Sequence, residues 1–182
     1  MKKTDLSKFT NKDYNPGSFI KRALWFVVDF VFMQHLLFFS SGLRLKLLAL
    51  FGAKLGKNIN LKPNVQVKYP WFLEIGDNTW IGENVWIDNL AEIKIGKNAC
   101  ISQGAYLLTG NHNYKKITFD LILGPITVEE GAWIGAKSTV CPNVVCKSHS
   151  ILTAGSIATK DLEAYSIYQG NPAQFVRERK LV

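Results

Sequence analysis

Apolar residues recur every six positions over more than a hundred residues of this chain. In the first part, two extra residues follow every third step, and the series resumes after one long interruption. Its fifteen members are Leu55, Leu61, Val67, Ile75, Ile81, Ile87, Ile95, Ile101, Leu107, Val128, Ile134, Val140, Cys146, Leu152 and Ala158. With 47% apolar residues, a chance match at all fifteen is expected roughly once in 10^5 trials. A phase kept over this length indicates a repeat architecture rather than a sandwich of unrelated short strands.

Each six-residue repeat has further regular positions. The residue after the apolar one is often Gly, as at Gly56, Gly76, Gly82, Gly96 and Gly135. The fifth residue is often small or β-branched, as at Thr79, Val85, Ala99, Ala105, Ala132, Ser138, Ser150 and Ser156. Three repeats would form one triangular coil, with Gly relieving steric limits where the backbone turns. Because one coil cannot bury its own apolar residues, only a stack is stable. The sequence predicts an all-β fold, a parallel β-helix.

Residues 1–54 have a different pattern and are predicted to be a helical segment. Ser18 is a candidate N-cap for a helix over 19–39, residues 40–42 would break it, and a second helix is expected over 43–51. The first helix is very apolar, but polar residues interrupt it before it reaches a membrane span of about 20 residues. We expect it to cap the open end of the β-helix or to contact another subunit. The alternative is a peripheral membrane contact. The cations facing anionic lipid would then be Lys21, Arg22, Arg44 and Lys46.

The remaining boundaries and the bulk composition fit one domain with appendages. The β-helix is predicted over 55–165, with an inserted loop at about 108–127, followed by a short C-terminal extension over 166–182. The net charge of +8 favours an anionic partner, such as a phosphate-rich cofactor or a membrane surface. Nucleic acid is not expected, because no aromatic-basic motif is present.

The cysteines and the first residues bear on the cellular compartment. Cys100, Cys141 and Cys146 lack metal-ligand spacing, and Cys146 occupies a core position of the repeat. Free thiols used as small apolar side chains suit a reducing cytoplasm. Residues 1–14 are polar, so no signal peptide is visible. We therefore expect a cytoplasmic protein with no metal.

The one break in the repeat is the candidate site for chemistry. A β-helix does not need such an insertion, and loops on a rigid scaffold commonly carry function. His112 stands near the start of this loop, next to Gly110, Asn111 and Asn113. The other two histidines fall on the apolar N-terminal helix and in a regular repeat, where structural or surface roles are expected.

Several short motifs resemble those of the hexapeptide-repeat O-acetyltransferases, which include the maltose and galactoside acetyltransferases. They are Thr109-Gly110-Asn111-His112, Ala132-Trp133-Ile134-Gly135, Ala154-Gly155-Ser156 with Thr159-Lys160-Asp161, and Gly170-Asn171-Pro172-Ala173. The stretches 68–77 and 86–93 resemble most closely the colanic acid biosynthesis type, which acetylates exopolysaccharide sugars. The resemblance covers about residues 50–177. It implies a left-handed β-helix, against the usual crossover rule, and a homotrimer that binds acetyl-CoA between neighbouring subunits.

The same resemblance implies roles for individual residues. His112 would be the general base that deprotonates a sugar hydroxyl, with direct transfer and no acyl-enzyme. The amide of Ala136 would stabilise the oxyanion. Asp88, at a position usually occupied by Asn, would contact the sugar acceptor together with Trp86, beside the His of an adjacent subunit. Asp can accept hydrogen bonds from hydroxyls but cannot donate them when ionised.

The predicted coenzyme site uses residues later in the chain. Trp133 would line the pantetheine or thioester region, although a surface aromatic is the alternative. Positions that match the pantetheine or nucleotide contacts of the family are Ala154, Thr159 and Lys160. Arg177, together with Arg179 and Lys180, would bind a phosphate; alternatively, residues 177–180 form a solvated tail.

The predicted function is therefore acetyl-CoA-dependent O-acetylation of a sugar hydroxyl, in bacterial exopolysaccharide or surface glycan biosynthesis. It would take place in the cytoplasm or at the inner face of the membrane. An N-acetyltransferase acting on an amino sugar is the main alternative. A non-catalytic trimeric scaffold is another. A zinc-dependent carbonic anhydrase of the gamma type would need three suitably placed histidines, and only His112 stands at a candidate position.

Overall fold

The fold is a left-handed parallel β-helix of about six coils with helices at its N-terminal end. A computed structural model describes residues 3–34 and 40–182. The fold class predicted from the six-residue repeat is confirmed. The expectations for His35 and for the end of the first helix fall on residues 35–39 and lie outside the described residues.

Two α-helices precede the β-helix. Helix α1 spans Phe19–Val28 and continues as a π-helical segment over Asp29–Met33, and α2 spans Ser41–Leu50. Single 3-10 turns lie at Leu6–Lys8 and Pro70–Phe72. Ser18 caps α1 as predicted, because its side chain accepts a hydrogen bond from the Lys21 N–H.

The regular α-helix ends at Val28, well before the predicted end. The Gln34 N–H donates to the Asp29 carbonyl, and the Gln34 side chain donates to the Asp29 carboxylate at 2.6 Å. This five-residue spacing is that of a π-helix. Ser40 has extended backbone, as the predicted break requires, and caps α2 by accepting from the Leu43 N–H, whereas Ser41 and Gly42 already lie in α2.

The strands form three faces of a triangular prism and one separate hairpin. Sheet A contains β1 (Lys54–Leu55), β4 (Leu73–Ile75), β7 (Ile93–Ile95), β12 (Ile126–Val128) and β15 (Val145–Cys146). Sheet B contains β2 (Asn60–Leu61), β5 (Trp80–Ile81), β8 (Cys100–Ile101), β13 (Trp133–Ile134), β16 (Ile151–Leu152), β18 (Ser166–Gly170) and β19 (Ala173–Glu178). Sheet C contains β3 (Gln66–Val67), β6 (Trp86–Asp88), β9 (Tyr106–Leu108), β14 (Thr139–Val140) and β17 (Ile157–Ala158). The hairpin pairs β10 (Gly110–His112) with β11 (Leu121–Leu123).

The core has the composition that the repeat predicts. Fourteen of the fifteen repeat positions are buried, and Leu55, on the first coil, is half-buried and packs against the others. All eight of the small or β-branched fifth positions are buried as well. Each coil thus supplies three inward side chains to one continuous core, so the stack buries what a single coil cannot.

The glycines after the core positions are required by the close stacking of the coils. A Cβ atom on Gly76 would lie 2.5 Å from the Lys97 nitrogen, and one on Gly135 would lie 2.5 Å from the Ala154 nitrogen. Neither glycine has a positive φ; turn residues such as Asn58, with φ 55°, adopt that conformation instead. The predicted reason, relief at a sharp turn, is therefore wrong. Gly leaves room for the next coil, while Asn tolerates the left-handed turn.

The N-terminal helices cover the first coil, as a cap should. The Trp25 indole donates to the Val67 carbonyl at 2.7 Å, and an Arg44 Nη2 donates to the Leu61 carbonyl at 2.9 Å. The Asn64 N–H donates to the Met33 carbonyl. These contacts satisfy backbone groups that the first coil would otherwise expose at an open sheet edge.

The cap changes the expected orientation of the helix cations. Arg44 is buried, Arg22 is half-buried, and the Lys21 ammonium lies 4.4 Å from the centre of the Trp71 ring. The predicted set of four cations facing lipid is therefore wrong, and only Lys46 of the set is exposed. Arg44 and Lys21 instead make contacts within the cap, to the Leu61 carbonyl and the Trp71 ring.

The outer face of α1 is apolar. Its exposed large side chains include Phe19, Ile20, Leu24, Phe26 and Val27. Within the described ranges 3–34 and 40–182, no helix has both the length and the hydropathy needed to cross a bilayer.

The C-terminal extension continues the β-helix rather than leaving it. Strand β18 pairs in parallel with β16, and β19 turns back to pair with β18 in the antiparallel direction. Residues 166–178 therefore extend sheet B beyond the last complete coil.

Candidate active site

The long insertion begins at the end of a sheet C strand. It follows β9, folds into the β10–β11 hairpin, and rejoins the β-helix at β12. In the hairpin, His112 lies opposite Leu121. Gly110 packs closely against Leu90 of the preceding coil, because a Cβ atom there would lie 2.7 Å from a Leu90 methyl carbon. The β-helix thus fixes the base of the loop that carries the candidate histidine.

His112 is held in one orientation and one tautomer. Its Nδ1 lies 2.9 Å from the Phe119 carbonyl oxygen, and its ring stacks on the Phe119 ring at 4.4 Å with an interplanar angle of 6°. A carbonyl oxygen can only accept, so Nδ1 must carry the proton in this contact. The neutral ring then has its lone pair on Nε2, which is the atom available to accept a proton.

Phe119, which the sequence analysis did not single out, makes this arrangement possible. Its φ of 51° is in the left-handed region, which is strained for an aromatic residue. That conformation turns its carbonyl toward His112 while its ring stacks on the imidazole. Strained backbone of this kind is often found at functional sites.

The polar N-terminal segment also packs beside the loop, a contact that no sequence pattern predicts. The Asp5 N–H donates to the Ile117 carbonyl at 2.9 Å, and the Phe9 ring lies 5.8 Å from the His112 ring. The Tyr14 hydroxyl donates to the Leu90 carbonyl at 2.8 Å. The only available signal was two aromatic residues in an otherwise polar stretch.

Asp88 lies at the end of β6, and its carboxylate has fixed partners. The Tyr106 hydroxyl donates to Oδ2 at 3.2 Å, and the Lys68 ammonium lies 3.2 Å from Oδ1. The Thr109 hydroxyl, from the start of the loop, donates to the Asp88 carbonyl at 2.7 Å. Burial, followed by the charge of Asp88, raises the pKa of Tyr106 to about 12. Tyr106 therefore remains a hydrogen-bond donor at neutral pH.

Trp86 lies on the same strand, two residues before Asp88. It is 43% exposed and stacks on Tyr106, with ring centres 4.6 Å apart and an interplanar angle of 14°. The two predicted acceptor residues therefore share one aromatic and polar surface on sheet C.

The predicted coenzyme residues mostly line a groove along sheet B. One part, of about 290 Å³, lies between Trp133, Ala136 and Ala154; the next, of about 810 Å³, extends from Trp133 to Arg177 and Lys180. The Trp133 indole donates to the Ser102 hydroxyl at 2.8 Å, which fixes the ring at the junction. The small side chains would let an extended ligand approach the backbone closely.

Other predicted coenzyme residues lie elsewhere. Thr159 and Lys160 follow β17 of sheet C, are exposed, and do not line the sheet B groove. Arg179 reaches the groove, but its Nη1 donates to the Gly131 and His149 carbonyls at 2.9 and 3.1 Å. Arg177 is exposed and remains the better candidate for a phosphate contact.

The position of Ala136 suits an oxyanion donor. It stands two residues after the core residue Ile134. At the same repeat position in other coils, the Lys57 N–H donates to a carboxylate oxygen of Asp77 at 2.6 Å, and the Ser148 N–H to one of Glu129 at 2.7 Å. The amide at this repeat position can therefore bind an anionic oxygen. The Ala136 N–H donates to no acceptor among the described residues.

The residues for chemistry and for coenzyme binding lie on different faces of one chain. Asp88 is on sheet C and His112 is on the hairpin that follows the sheet C strand β9, whereas Trp133 is on the sheet B strand β13 and Ala136 lies two residues after that strand ends. No group of three or more His, Cys, Asp or Glu side chains in the described part of the chain could hold a metal ion.

Sequence and structure comparisons find similar proteins for nearly the whole chain. No protein-family model matches it. It is 38% identical over 179 residues to the protein of Escherichia coli K12 that is named as colanic acid biosynthesis acetyltransferase WcaF, covering 96% of this chain and 97% of that protein. It is 30% identical over 129 residues to the galactoside O-acetyltransferase of Escherichia coli K12, covering 69% and 64%. A solved structure of galactoside acetyltransferase with coenzyme A matches with a TM-score of 0.76 and 26% identity, covering 88% and 82%.

Proposed function

The chain belongs to the hexapeptide-repeat acetyltransferases, and from this premise we propose that it transfers the acetyl group of acetyl-CoA to a sugar hydroxyl. The setting is bacterial exopolysaccharide or surface glycan biosynthesis, which the WcaF relative supports. The observation that carries the proposal is His112, whose Nδ1 faces the Phe119 carbonyl and whose Nε2 is therefore free to accept a proton.

In the proposed reaction, His112 acts as general base. Nε2 accepts the hydroxyl proton while the sugar oxygen forms a bond to the thioester carbonyl carbon. The Ala136 N–H donates to the carbonyl oxygen as negative charge develops on it. When the carbon–sulfur bond breaks, the proton on His112 passes to the leaving thiolate, which restores the neutral base. The two substrates react directly with each other. The protein holds them close together, and no covalent acyl-enzyme forms.

The sheet B groove is the proposed coenzyme site, and the galactoside acetyltransferase complex supports coenzyme A as its ligand. Trp133 would lie against the pantetheine arm, with Ala136 and Ala154 allowing close approach to the backbone. Arg177 would contact a phosphate. Thr159 and Lys160, which are exposed on sheet C, would reach the coenzyme from a neighbouring subunit.

The acceptor would bind at the Asp88 surface of sheet C. Asp88 would accept hydrogen bonds from sugar hydroxyls, and the exposed Trp86 ring would contact the apolar face of the sugar. Lys68 and Tyr106 hold the carboxylate in place. Because an ionised Asp cannot donate, it would select hydroxyls that act as donors.

The proposed working form is a homotrimer in the cytoplasm. Within one chain, His112 and the Trp133 groove lie on different faces. Packing subunits side by side would place the His112 of one subunit next to the Trp133 groove of its neighbour. The exposed apolar face of α1 would contact a neighbouring subunit or the inner face of the membrane. The net charge of +8 is compatible with either an anionic coenzyme or anionic lipid.

The proposal is tested by the product. The purified protein is incubated with acetyl-CoA and a panel of glycans, some with only hydroxyls and some with a free amino group, and the products are analysed by mass spectrometry. An acetyl ester, released by mild alkali, supports the proposal. An alkali-stable acetamide would identify an amino-sugar N-acetyltransferase. No transfer, together with no acetyl-CoA binding by calorimetry, would point to a non-catalytic scaffold.

A further inference from the structure

A second groove lies between the N-terminal helices and sheet C. It has a volume of about 330 Å³. Its walls include Arg22 and Asp29 from the helical segment, Gln66 on β3, Lys68 directly after β3, and Trp86 on β6. None of the roles proposed so far uses Arg22, Asp29 or Gln66. The groove combines apolar walls with a few polar groups, as small-molecule sites commonly do.

Two polar atoms beside this groove lack regular hydrogen-bond partners among the described residues. Arg22 Nε and Asp29 Oδ1 are buried without a hydrogen bond of regular geometry there, although the Val67 backbone N–H lies near the Asp29 carboxylate and lowers its pKa. The other Asp29 oxygen accepts from the Gln34 amide. Buried polar groups are nearly always hydrogen-bonded, so an unmatched donor and an unmatched acceptor on residues that line one groove call for an explanation. A ligand with several hydroxyl groups can supply both kinds of partner.

The groove is continuous with the proposed acceptor site. Lys68 lines it and lies 3.2 Å from the Asp88 carboxylate. Trp86 also lines it and stands two residues before Asp88 on β6, on the same side of the strand. Two residues along a strand span about 7 Å, which is comparable to the length of one sugar unit. A sugar at Asp88 would therefore place its neighbour in the groove.

We propose that this groove binds the sugar unit adjacent to the one that is acetylated, so that the natural acceptor is an oligosaccharide. The inference rests on the proposed function. Trp86, whose ring would contact the acetylated sugar, also borders this groove and supplies apolar surface where the two sugar units meet. Arg22, Asp29 and Gln66 supply donors and acceptors for its hydroxyls. A monosaccharide acceptor would leave all three without a ligand.

The test compares acceptors of different length on matched variants. Kinetics are measured for the wild type, Arg22→Gln, Asp29→Asn and Gln66→Ala, with one acceptor sugar as a monosaccharide and as the corresponding oligosaccharide. Gln66 lies on a different element from the other two, so it remains informative if a helix variant folds poorly. Lys46→Gln, on the exposed side of α2, is the control.

The wild type should show a lower acceptor KM for the oligosaccharide than for the monosaccharide. Loss of a hydrogen bond to a charged group should raise the oligosaccharide KM about tenfold or more in Arg22→Gln and Asp29→Asn, and loss of a neutral hydrogen bond should raise it roughly two- to tenfold in Gln66→Ala. The monosaccharide kinetics and the KM for acetyl-CoA should not change, and Lys46→Gln should behave as wild type.

Three results would overturn the inference. Equal KM values for both acceptor lengths in the wild type would show that no second subsite exists. Equal effects of the variants on both acceptors would assign these residues to folding. A change of oligomeric state in light scattering would assign the groove to a subunit contact. In all three cases the wild type still transfers acetyl groups, whereas a wild type that acetylates no sugar overturns the proposed function as well.

Discussion

The glycines of the repeat give a direct test of the stacked-coil account at the coenzyme groove. Gly135→Ala adds one methyl group beside Trp133 and Ala136. Its carbon would lie 2.5 Å from the Ala154 nitrogen and 2.7 Å from the Leu152 carbonyl oxygen. Both are backbone atoms of the next coil, so no flexible side chain can move aside. The two coils must therefore separate by several tenths of an ångström.

The cost can be worked out from the contacts that would be lost. Overpacking of a tight interior costs about 1–3 kcal/mol. The Gly135 N–H donates to the Leu152 carbonyl at 2.7 Å, and the Gly155 N–H to the Ala136 carbonyl at 2.8 Å. Weakening both bonds adds up to about 1–2 kcal/mol. Ala also lowers the conformational entropy of the unfolded chain, which offsets about 0.4–1 kcal/mol of this destabilisation. We expect a net loss of about 2–4 kcal/mol in the free energy of unfolding.

Gly155→Ala, in the next coil along sheet B, is the matched control. No heavy atom lies within 4 Å of a Cβ there, but φ is +69°. The expected cost is that of a left-handed Ala alone, about 1 kcal/mol. Urea unfolding is followed by tryptophan fluorescence at one fixed protein concentration, because assembly would make stability depend on concentration. If Gly135→Ala unfolds at the wild-type urea concentration, or if Gly155→Ala is the more damaging change, close stacking is not the reason for the repeat glycines.

Three other predictions concern ionisation, acceptor binding and assembly. Burial raises the pKa of Asp29 to about 6. Between about pH 4 and pH 6 the native state therefore keeps a proton that the unfolded state has lost. The free energy of unfolding should fall by up to about 3 kcal/mol as pH rises through this window. Asp29→Asn should remove this loss, and equal pH dependence of urea unfolding in both proteins would contradict it. Asp88→Ala should raise the acceptor KM and lower kcat less than loss of His112 does; a variant with normal acceptor KM would show that Asp88 has no part in acceptor binding. Light scattering should give a trimer, and a stable, active monomer would refute the assembly.

The sequence predicts the β-helix well because its pattern has one simple physical cause. Inward positions such as Ile101 and Ile134 must be apolar in every coil, so the six-residue period is visible without any structure. The function of the glycines was not predictable in the same way. It depends on the distance between backbones of neighbouring coils, which a residue pattern does not report.

The sequence predicts where the candidate histidine lies in the fold, whereas the contacts around it depend on distant segments. His112 stands out because it lies in the one insertion of the repeat. Its partner Phe119 does not, since only the three-dimensional path of the loop turns that carbonyl toward the imidazole. Phe9 stands out only as an aromatic residue in a polar stretch, which does not indicate that it lies beside the same ring. The π-helical turn at Asp29 depends on a side-chain contact with Gln34 that helix propensity cannot anticipate.

The most direct test of the account is acetyl transfer by His112→Ala, measured together with acetyl-CoA binding. Removing the general base should lower the rate with a sugar acceptor by about 10^2 to 10^4-fold, while coenzyme affinity stays near the wild-type value because the proposed coenzyme contacts lie on sheet B. His149→Ala is the control, since His149 stacks on Tyr165 in a regular coil and its loss should leave turnover unchanged. If His112→Ala retains near-normal turnover with its sugar acceptor, the proposed mechanism is wrong.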